Sequence, residues 1–275
     1  MDIQRLLAHY HVDSDLSGTV LAAIKQAKGS LSGLTADDLI AIDGFHIRGR
    51  KSTVELAKQL DITPRDRVLD LGSGSGGTAR YLATRFDCRV LGIDLTASYV
   101  KLATVLSGLL GISGLTEFVC GNAMALPFQE ERFDIVWSDH VQMNIADKEH
   151  FAKEIQRVLK PGGKVAVHEV FTGPGGEPFL PVPWSSDAAT SFMVHETDMK
   201  QIFADTGFSV LKWEDVTAIS DQWFQKMRAK RAAEAPPPIG IHLLMGPRAE
   251  EKIANMGRSL SDGRARVIMG LLEKA

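Results

Sequence analysis

The sequence is poor in the residues that mark secreted, membrane-spanning or disulfide-stapled proteins. Only Cys88 and Cys120 occur among its 275 residues, and both stand beside or within apolar strand-like runs. We therefore expect two free thiols, no disulfide and a cytoplasmic protein. No apolar run reaches the length of a membrane span, and the first ten residues carry charges and histidine, so we predict neither insertion nor export.

The chain also lacks an excess of positive charge. Its 31 Lys and Arg face 34 Asp and Glu, which gives a formal net charge of −3. No basic field therefore attracts nucleic acid or an anionic membrane, and neither is a predicted partner. A hydrophobic share of 44% and a charged share of 24% are typical of a globular protein that buries one large core.

Short apolar strands alternate with amphipathic helices through the middle of the chain. This alternation predicts an α/β fold, a parallel sheet covered by helices on both faces, with ligands at the carboxyl ends of the strands. The predicted strands are 67–71, 89–94, 116–120, 133–138, 163–171, 208–214 and 266–272, and the helices between them are 77–86, 97–110, 148–159 and 196–206.

The two ends and one internal segment depart from this alternation. Apolar residues recur at helical spacing in residues 1–60, which we expect to form a helical cap, whereas 61–275 form the core. Residues 172–195 are rich in Pro and Gly but retain Phe179, Trp184 and Phe192, so they are too apolar for a disordered linker. We interpret them as a lid inserted over the site. Helices are expected at 221–231, ended by the prolines 236–238, and at 248–260.

The most informative feature is a glycine-rich turn directly after the first core strand. Residues 68–77 read Val-Leu-Asp-Leu-Gly-Ser-Gly-Ser-Gly-Gly, so the strand carries Asp70 just before the glycines. Such glycine density indicates a bend that a ligand approaches closely. A carboxylate at this point would repel a pyrophosphate and attract a cationic amino group, which disfavours a dinucleotide.

This turn resembles the first motif of the class I S-adenosylmethionine (SAM) dependent methyltransferases, in which a carboxylate precedes alternating glycines. Three further segments resemble that family in order and spacing: 89–94, which ends in an acid; 121–128, after the third strand; and 133–138 with 158–163, the fourth strand and the entry to the fifth. The resemblance covers residues 45–217 and is nearest to the small-molecule branch with sarcosine/dimethylglycine, phosphoethanolamine, sugar and quinone methyltransferases.

The resemblance implies a Rossmann-like, doubly wound sheet of seven strands, mostly parallel with an antiparallel last strand, and SAM as cofactor with S-adenosylhomocysteine (SAH) as product. It assigns the cofactor contacts to the strand ends: Gly72, Ser73, Gly74 and Gly76 with Asp70 at the amino-acid portion, Asp94 and Leu95 at the ribose, Asn122 and Ala123 at the adenine, and Ser138 with His140 at the methionine portion. Many relatives carry Asp in place of Asn122. The alternative is a plain strand-to-helix turn with Asp94 as a helix cap.

Relatives place a flap before the first strand, where this chain reads His46-Ile47-Arg48-Gly49. Arg48 is a candidate bidentate donor to the cofactor carboxylate. The alternative places Arg48 on a solvated helix start and packs His46 locally.

The candidates for proton transfer follow the fourth and fifth strands. Some O-methyltransferases of this fold carry His and an acid at the places of His140 and Glu169, so these two are the predicted catalytic residues. The alternatives are that Glu169 only anchors a loop and that His168 is a core histidine. Around the acceptor we expect His46, Trp184, Phe192 and His195, although scattered aromatic residues are also typical of a core. The eight histidines show no metal-site spacing, so we predict no metal.

The predicted function is methyl transfer by in-line displacement to an oxygen or nitrogen of a small-molecule acceptor. Residues 138–141 read Ser-Asp-His-Val and not the Asn/Asp-Pro-Pro-Tyr run of base-amino methyltransferases, which argues against a DNA substrate. Two alternatives remain: a nucleotide-dependent oxidoreductase, and a non-catalytic module that binds SAM or SAH. The C-terminal helices are candidates to cover a partner in a homodimer.

Overall fold

A single seven-stranded sheet organises the computed structural model, which describes residues 3–10, 15–233, 237–246 and 248–275. The strand order is β3-β2-β1-β4-β5-β7-β6, and only β7 runs antiparallel to its neighbours. This confirms the predicted doubly wound sheet. The strands are β1 Arg67–Leu71, β2 Arg89–Asp94, β3 Thr116–Cys120, β4 Phe133–Asp139, β5 Leu159–Thr172, β6 Phe208–Asp215 and β7 Ala265–Lys274.

Eleven helices cover the described part of the chain. They are α1 Ile3–Tyr10, α2 Leu16–Lys28, α3 Ile40–Asp43, α4 Arg50–Ala57, α5 Gly77–Phe86, α6 Ala97–Leu109, α7 Lys148–Val158, α8 Glu196–Asp205, α9 Thr217–Ala233, α10 His242–Met245 and α11 Ala249–Ser261. Short 3-10 turns add Ala36–Leu39, Gln142–Asn144 and Ala188–Thr190. Pro236, expected to stop α9, lies outside the described residues. None of the described helices is long and apolar enough to cross a membrane.

Side chains of β1 alternate between two separate cores, as the two-residue period of a strand requires. Val68 packs in a cluster with Trp137 and residues of α4, α5, α9 and α11. Leu69 and Leu71 pack in a second cluster with residues of α7 and α8. Because both faces of β1 are buried, its sequence is almost continuously apolar, and Asp70 is the exception.

The N-terminal helices and the segment after β5 cover the carboxyl edge of the sheet. A third cluster joins α2 and α3 to α6. The segment 173–195 packs on the 3-10 turn Gln142–Asn144, where the Asn144 side-chain amide donates to the carbonyl oxygens of Trp184 and Thr190, both at 2.9 Å. His9 of α1 hydrogen-bonds the Pro183 carbonyl at 2.9 Å. Both additions therefore border the strand ends.

Candidate cofactor and acceptor site

A cavity opens at the carboxyl ends of β1, β2 and β4, where the strand order reverses direction and ligands bind in such sheets. The predicted site residues that line it are His46, Asp70, Gly72, Ser73, Gly74, Asp94, Leu95, Asn122, Ala123, His140 and Trp184. Six predicted site residues lie outside its lining: Arg48, Gly76, Ser138, Glu169, Phe192 and His195.

The glycine turn is held open by the acid at the end of β2. Asp94 accepts the Gly74 N–H through Oδ2 at 2.9 Å and the Thr96 N–H through Oδ1 at 2.8 Å. Gly74 has φ +51° and faces open space, since a Cβ there would have no atom nearer than 4.0 Å. The turn at Gly74 therefore keeps a left-handed backbone with room beside it, which suits the close approach of a ligand.

Gly76 serves packing instead of the cavity. It has φ +81° and directly precedes α5, and a Cβ there would lie 2.8 Å from the Phe118 ring and 2.9 Å from Ala103. The need for glycine at this position is therefore set by packing, and Gly76 does not line the cavity.

Asp70 is the polar group of the cavity with the strongest need for a partner. Its side chain is buried, and its Oδ2 has no hydrogen-bond partner among the described residues. Burial and the nearby Asp139 carboxylate raise the pKa of Asp70 well above its ordinary value. A cationic group beside Oδ2 would relieve both the desolvation and the repulsion, so the site fits a ligand with a positively charged amine.

Asn122 lines the cavity at the turn after β3. Its Oδ1 accepts the Met124 N–H at 2.9 Å, so the amide also caps this turn. Ala123 follows on the same edge. Both residues line the cavity, and their assignment to the adenine remains a prediction.

Asp139 is the centre of a buried cluster at the end of β4. Its Oδ2 accepts the Trp137 indole N–H at 2.9 Å, and its Oδ1 lies 2.9 Å from His168 Nδ1. His46 Nδ1 lies 3.7 Å from Oδ2. Burial opposes ionisation of Asp139, but the charge of His46 and the hydrogen bond from His168 outweigh burial and lower its pKa. The cluster therefore holds an anion beside the cavity.

His140 follows Asp139 in a left-handed conformation, with φ +57°. Its Nδ1 lies 2.8 Å from the carbonyl oxygen of His168 and its Nε2 lies 3.3 Å from the Ile47 nitrogen. A carbonyl only accepts, so Nδ1 carries the proton and the Nε2 lone pair accepts the Ile47 N–H. Burial and the neighbouring His168 lower the pKa of His140 well below its ordinary value, which keeps the ring neutral at pH 7.

Three groups of this cluster also have the spacing of metal ligands. One candidate atom each from Asp139, His140 and His168 lies within 4.8 Å of the others. His168 bonds Asp139 through Nδ1 and is buried with an unpartnered Nε2. Hydrogen bonds within the protein account for the arrangement of His140 and Asp139 without a metal ion. The absence of a metal ion remains a prediction.

Glu169 does not reach the cavity, contrary to its predicted catalytic role. Its carboxylate accepts the Ser138 hydroxyl at 2.6 Å and the Val141 N–H at 3.0 Å, on the face of the sheet that carries α7 and α8. Burial raises its pKa to about 7 against these hydrogen bonds. Glu169 therefore anchors the loop that presents His140, and Ser138 contributes to this anchor and does not line the cavity.

Arg48 also has a partner other than the expected one. Its guanidinium is buried and pairs with Glu55 of α4. It neither lines the cavity nor lies on a solvated helix start, because its side chain is buried. Its backbone is left-handed, with φ +68°, and the ion pair joins the residue to α4.

Two residues that were predicted to contact the acceptor, Phe192 and His195, lie in the segment 173–195, which we call the covering segment. The Phe192 N–H donates to the Met143 carbonyl at 2.7 Å, which ties the segment to the 3-10 turn. His195 precedes the first residue of α8. Neither residue lines the cavity, which does not support their prediction as acceptor contacts.

The far half of the cavity is built by helices that the strand-end pattern did not predict. We use the name acceptor wall for Trp184, Trp223, Phe224, Met227, Met245 and Met256, which come from the covering segment, α9, α10 and α11. Trp184 was predicted from the sequence, but the methionines were not. Their helical spacing is the available signal, and it does not tell a cavity-facing side from a core-facing one.

Residues 69–167 match the methyltransferase domain family. Among curated proteins, the glycine/sarcosine/dimethylglycine N-methyltransferase of Actinopolyspora halophila is 36% identical over 45% of this chain and 21% of its own. Phosphoethanolamine N-methyltransferase 1 of Zea mays is 28% identical over 75% of this chain and 41% of its own. The chain thus spans less than half the length of these relatives.

The fold matches solved methyltransferase structures over most of the chain. Phosphoethanolamine N-methyltransferase 2 of Haemonchus contortus, solved in complex with S-adenosyl-L-methionine, superposes with a TM-score of 0.71. It is 19% identical and the match covers 87% of this chain and 57% of that one, so it bears on the fold alone. Residues 69–167 are therefore similar to a methyltransferase domain, and the sheet topology agrees with that match.

Proposed function

We propose that the protein is a SAM-dependent methyltransferase that acts on an oxygen or nitrogen atom of a small molecule. The observation that carries this proposal is the buried, unpartnered Asp70 Oδ2 beside an open glycine turn. SAM would supply an activated methyl group on a sulfonium. The names of the curated relatives, which include N-methyltransferases of small amines, support the same reaction type.

Three groups of residues would hold SAM. Asp70 receives the cationic amine through Oδ2, and the backbone of Gly72 to Gly74 lies against the amino-acid portion. Asp94, with Leu95 beside it, receives the ribose hydroxyls through the lone pairs that its two backbone hydrogen bonds leave. Asn122 and Ala123 border the adenine. Each of these residues lines the cavity.

His140 is the candidate base. Because Nδ1 holds its proton against the His168 carbonyl, only Nε2 can accept one. The acceptor's O–H or N–H proton passes to Nε2 as its heavy atom takes the methyl group, and the Ile47 N–H must then give up its hydrogen bond. Glu169 and Ser138 hold the loop of His140 in place. An acceptor amine that is already neutral needs only desolvation and positioning for methyl transfer. With such an acceptor, His140 would be dispensable.

Calorimetric titration with SAH tests the cofactor assignment. We expect Asp70→Asn to weaken SAH binding at least tenfold while the chain stays folded, since the shape is kept and the charge is lost. Asp61→Asn changes an exposed aspartate and should leave binding unaltered. Equal affinities of the wild type and Asp70→Asn would contradict the assignment.

Titration with NADH and an assay of SAH release from SAM separate the two alternative functions. A nucleotide-dependent oxidoreductase would bind NADH and not SAH. A non-catalytic module would bind SAH but release none from SAM with any member of a broad acceptor panel. A homodimer through the C-terminal helices and a cytoplasmic location stay predictions, and sedimentation equilibrium tests the first.

A further inference from the structure

The acceptor wall is apolar and buried. Trp184 is 2% exposed, Met245 5% and Met256 1%, while Trp223 and Met227 pack partly buried against the same cluster. Half of the six side chains are methionines, whose flexible thioethers adapt to different apolar shapes. This half of the cavity therefore favours the binding of apolar groups, because binding removes hydrocarbon surface from water.

No lysine or arginine among the described residues lines the cavity. Its acidic side chains and histidines are four aspartates, Asp43, Asp70, Asp94 and Asp139, with His46 and His140. Asp43 is already paired with Arg50 and Arg80, and neither arginine lines the cavity. In the half lined by the acceptor wall, an acceptor with a carboxylate or phosphate would bury its charge among apolar side chains without a counter-ion, which is strongly unfavourable.

Two buried lysines near the cavity are occupied elsewhere. The Lys148 ammonium donates to the backbone carbonyls of Gln142 and Ile145, and Lys252 donates to the Met245 carbonyl at 3.0 Å. Neither side chain lines the cavity. They hold the backbone behind the cavity and supply no cation to the acceptor wall.

The polar groups around the acceptor wall are also engaged within the protein. The Tyr10 hydroxyl donates to Asn144 Oδ1 at 2.9 Å, and both hydrogens of the Asn144 amide go to backbone carbonyls. The Tyr99 hydroxyl donates to the Leu244 carbonyl at 2.8 Å. A polar, water-soluble acceptor would lose its hydration in this half and find its hydrogen-bond partners already used.

We infer that the methyl acceptor is a neutral, largely hydrocarbon or aromatic molecule with one hydroxyl or amine that reaches His140. This inference rests on the proposed methyltransferase function and narrows its substrate class. It distinguishes the chain from relatives whose names give glycine, sarcosine or phosphoethanolamine as substrates, because those molecules carry a carboxylate or a phosphate.

The test uses unbranched primary alcohols of six, eight and ten carbons and the carboxylates of equal length, titrated into the protein saturated with SAH. Quenching or enhancement of tryptophan fluorescence reports binding next to Trp184 and Trp223. We expect each added methylene to tighten alcohol binding about three- to fourfold. Decanoate should bind at least tenfold more weakly than decanol, and sarcosine and phosphoethanolamine should not bind.

A variant that adds a cation to the acceptor wall strengthens the comparison of decanol with decanoate binding. Met227→Lys, on the half-buried side of α9, should narrow or reverse the preference for decanol over decanoate, whereas Met227→Leu should keep it. Equal binding of decanol and decanoate by the wild type, or no dependence on chain length, would overturn the inference. The wild-type series decides alone if Met227→Lys fails to fold.

The two levels of the proposal fail separately. SAH binding is measured first, without any alcohol. No SAH binding contradicts the methyltransferase function, whereas SAH binding without a preference for neutral apolar ligands contradicts only the acceptor class.

Discussion

In the half of the cavity that faces the strand ends, polar atoms of short loops surround the space, whereas the half that faces α9, α10 and α11 is lined by Met, Trp and Phe side chains. The first half contains unpartnered acceptors such as Asp70 Oδ2. In the second half, Tyr10 and Tyr99 have both spent their hydroxyls on protein acceptors. One half is therefore prepared for a charged ligand and the other for an apolar one.

The difference between the two halves also indicates which parts of the fold would determine specificity for the cofactor and for the acceptor. The glycine turn follows β1, and Asp94 is the last residue of β2. The parallel pairing of these two strands holds the turn and Asp94 in register. The acceptor wall belongs to helices added after β6, and to the segment after β5. The cofactor half is thus fixed by the architecture, whereas the acceptor half is set by additions to it.

The largest expected effect concerns the support of the cofactor half. Asp43→Ala leaves the fully buried Arg80 without its carboxylate partner. An uncompensated buried charge lowers the free energy of unfolding by about 3–5 kcal/mol, measured by urea denaturation. Asp37→Ala, whose carboxylate is exposed and lies 4.0 Å from Arg50, should lower it by less than about 1 kcal/mol. Similar losses for both variants would contradict this role of Asp43.

The second prediction separates the acceptor half from general packing. Met256→Ala removes a buried side chain of the acceptor wall and should lower the free energy of unfolding by about 2–5 kcal/mol. Met199→Ala, equally buried but on the other face of the sheet, should cost a similar amount. Only Met256→Ala should weaken decanol binding, and neither should alter SAH affinity. Weaker decanol binding in Met199→Ala as well would break the comparison.

The third prediction follows from the anchor of the His140 loop. The pKa of Glu169 is raised from 4.5 to about 7 by burial, so between these pH values the folded protein binds a proton that the unfolded chain has lost. The free energy of unfolding therefore falls as the pH rises through this window, by up to about 3 kcal/mol.

Glu169→Gln should remove that part of the slope, as measured by urea denaturation at several pH values. The exposed Glu117→Gln serves as the control and should keep the full slope. A slope in Glu169→Gln equal to that of the wild type would show that Glu169 titrates normally.

The smallest expected change in stability concerns the glycine turn. Gly74→Ala and Gly176→Ala each force alanine into a left-handed conformation with open space around it, at φ +51° and +94°. Each should cost about 1–2 kcal/mol in thermal or urea unfolding. Only Gly74→Ala should weaken SAH binding, by tenfold or more, because its methyl group projects where the ligand would lie. Unchanged affinity in Gly74→Ala would remove the turn from the binding site.

Sequence patterns predicted the strand-end half of the site because parallel strands bring their last residues to one edge. That rule brings Asp94 and Asn122 to the same edge, and the family resemblance assigned their roles and that of Asp70. Arg48 and Glu169 were also placed at the cavity by the family resemblance, but Glu55 and the loop at Val141 hold them elsewhere. Such competition between partners is decided by side-chain packing, which the order of residues does not reveal.

The acceptor wall lay beyond sequence reasoning for a different reason. Met245 and Met256 are apolar residues of helices, and the helical period gives one buried face without saying what faces it. Only the packing of α10 and α11 over the strand ends turns that face toward the cavity. The seven strands, in contrast, were predicted to within a few residues, because both buried faces of a parallel sheet leave continuous apolar runs.

The most direct measurement is a crystal structure of the protein with bound SAH. The account predicts that the ligand's amino nitrogen lies within about 3.2 Å of Asp70 Oδ2, with its sulfur toward His140 and the acceptor wall. SAH bound elsewhere, or with its amine turned away from Asp70, would contradict the account.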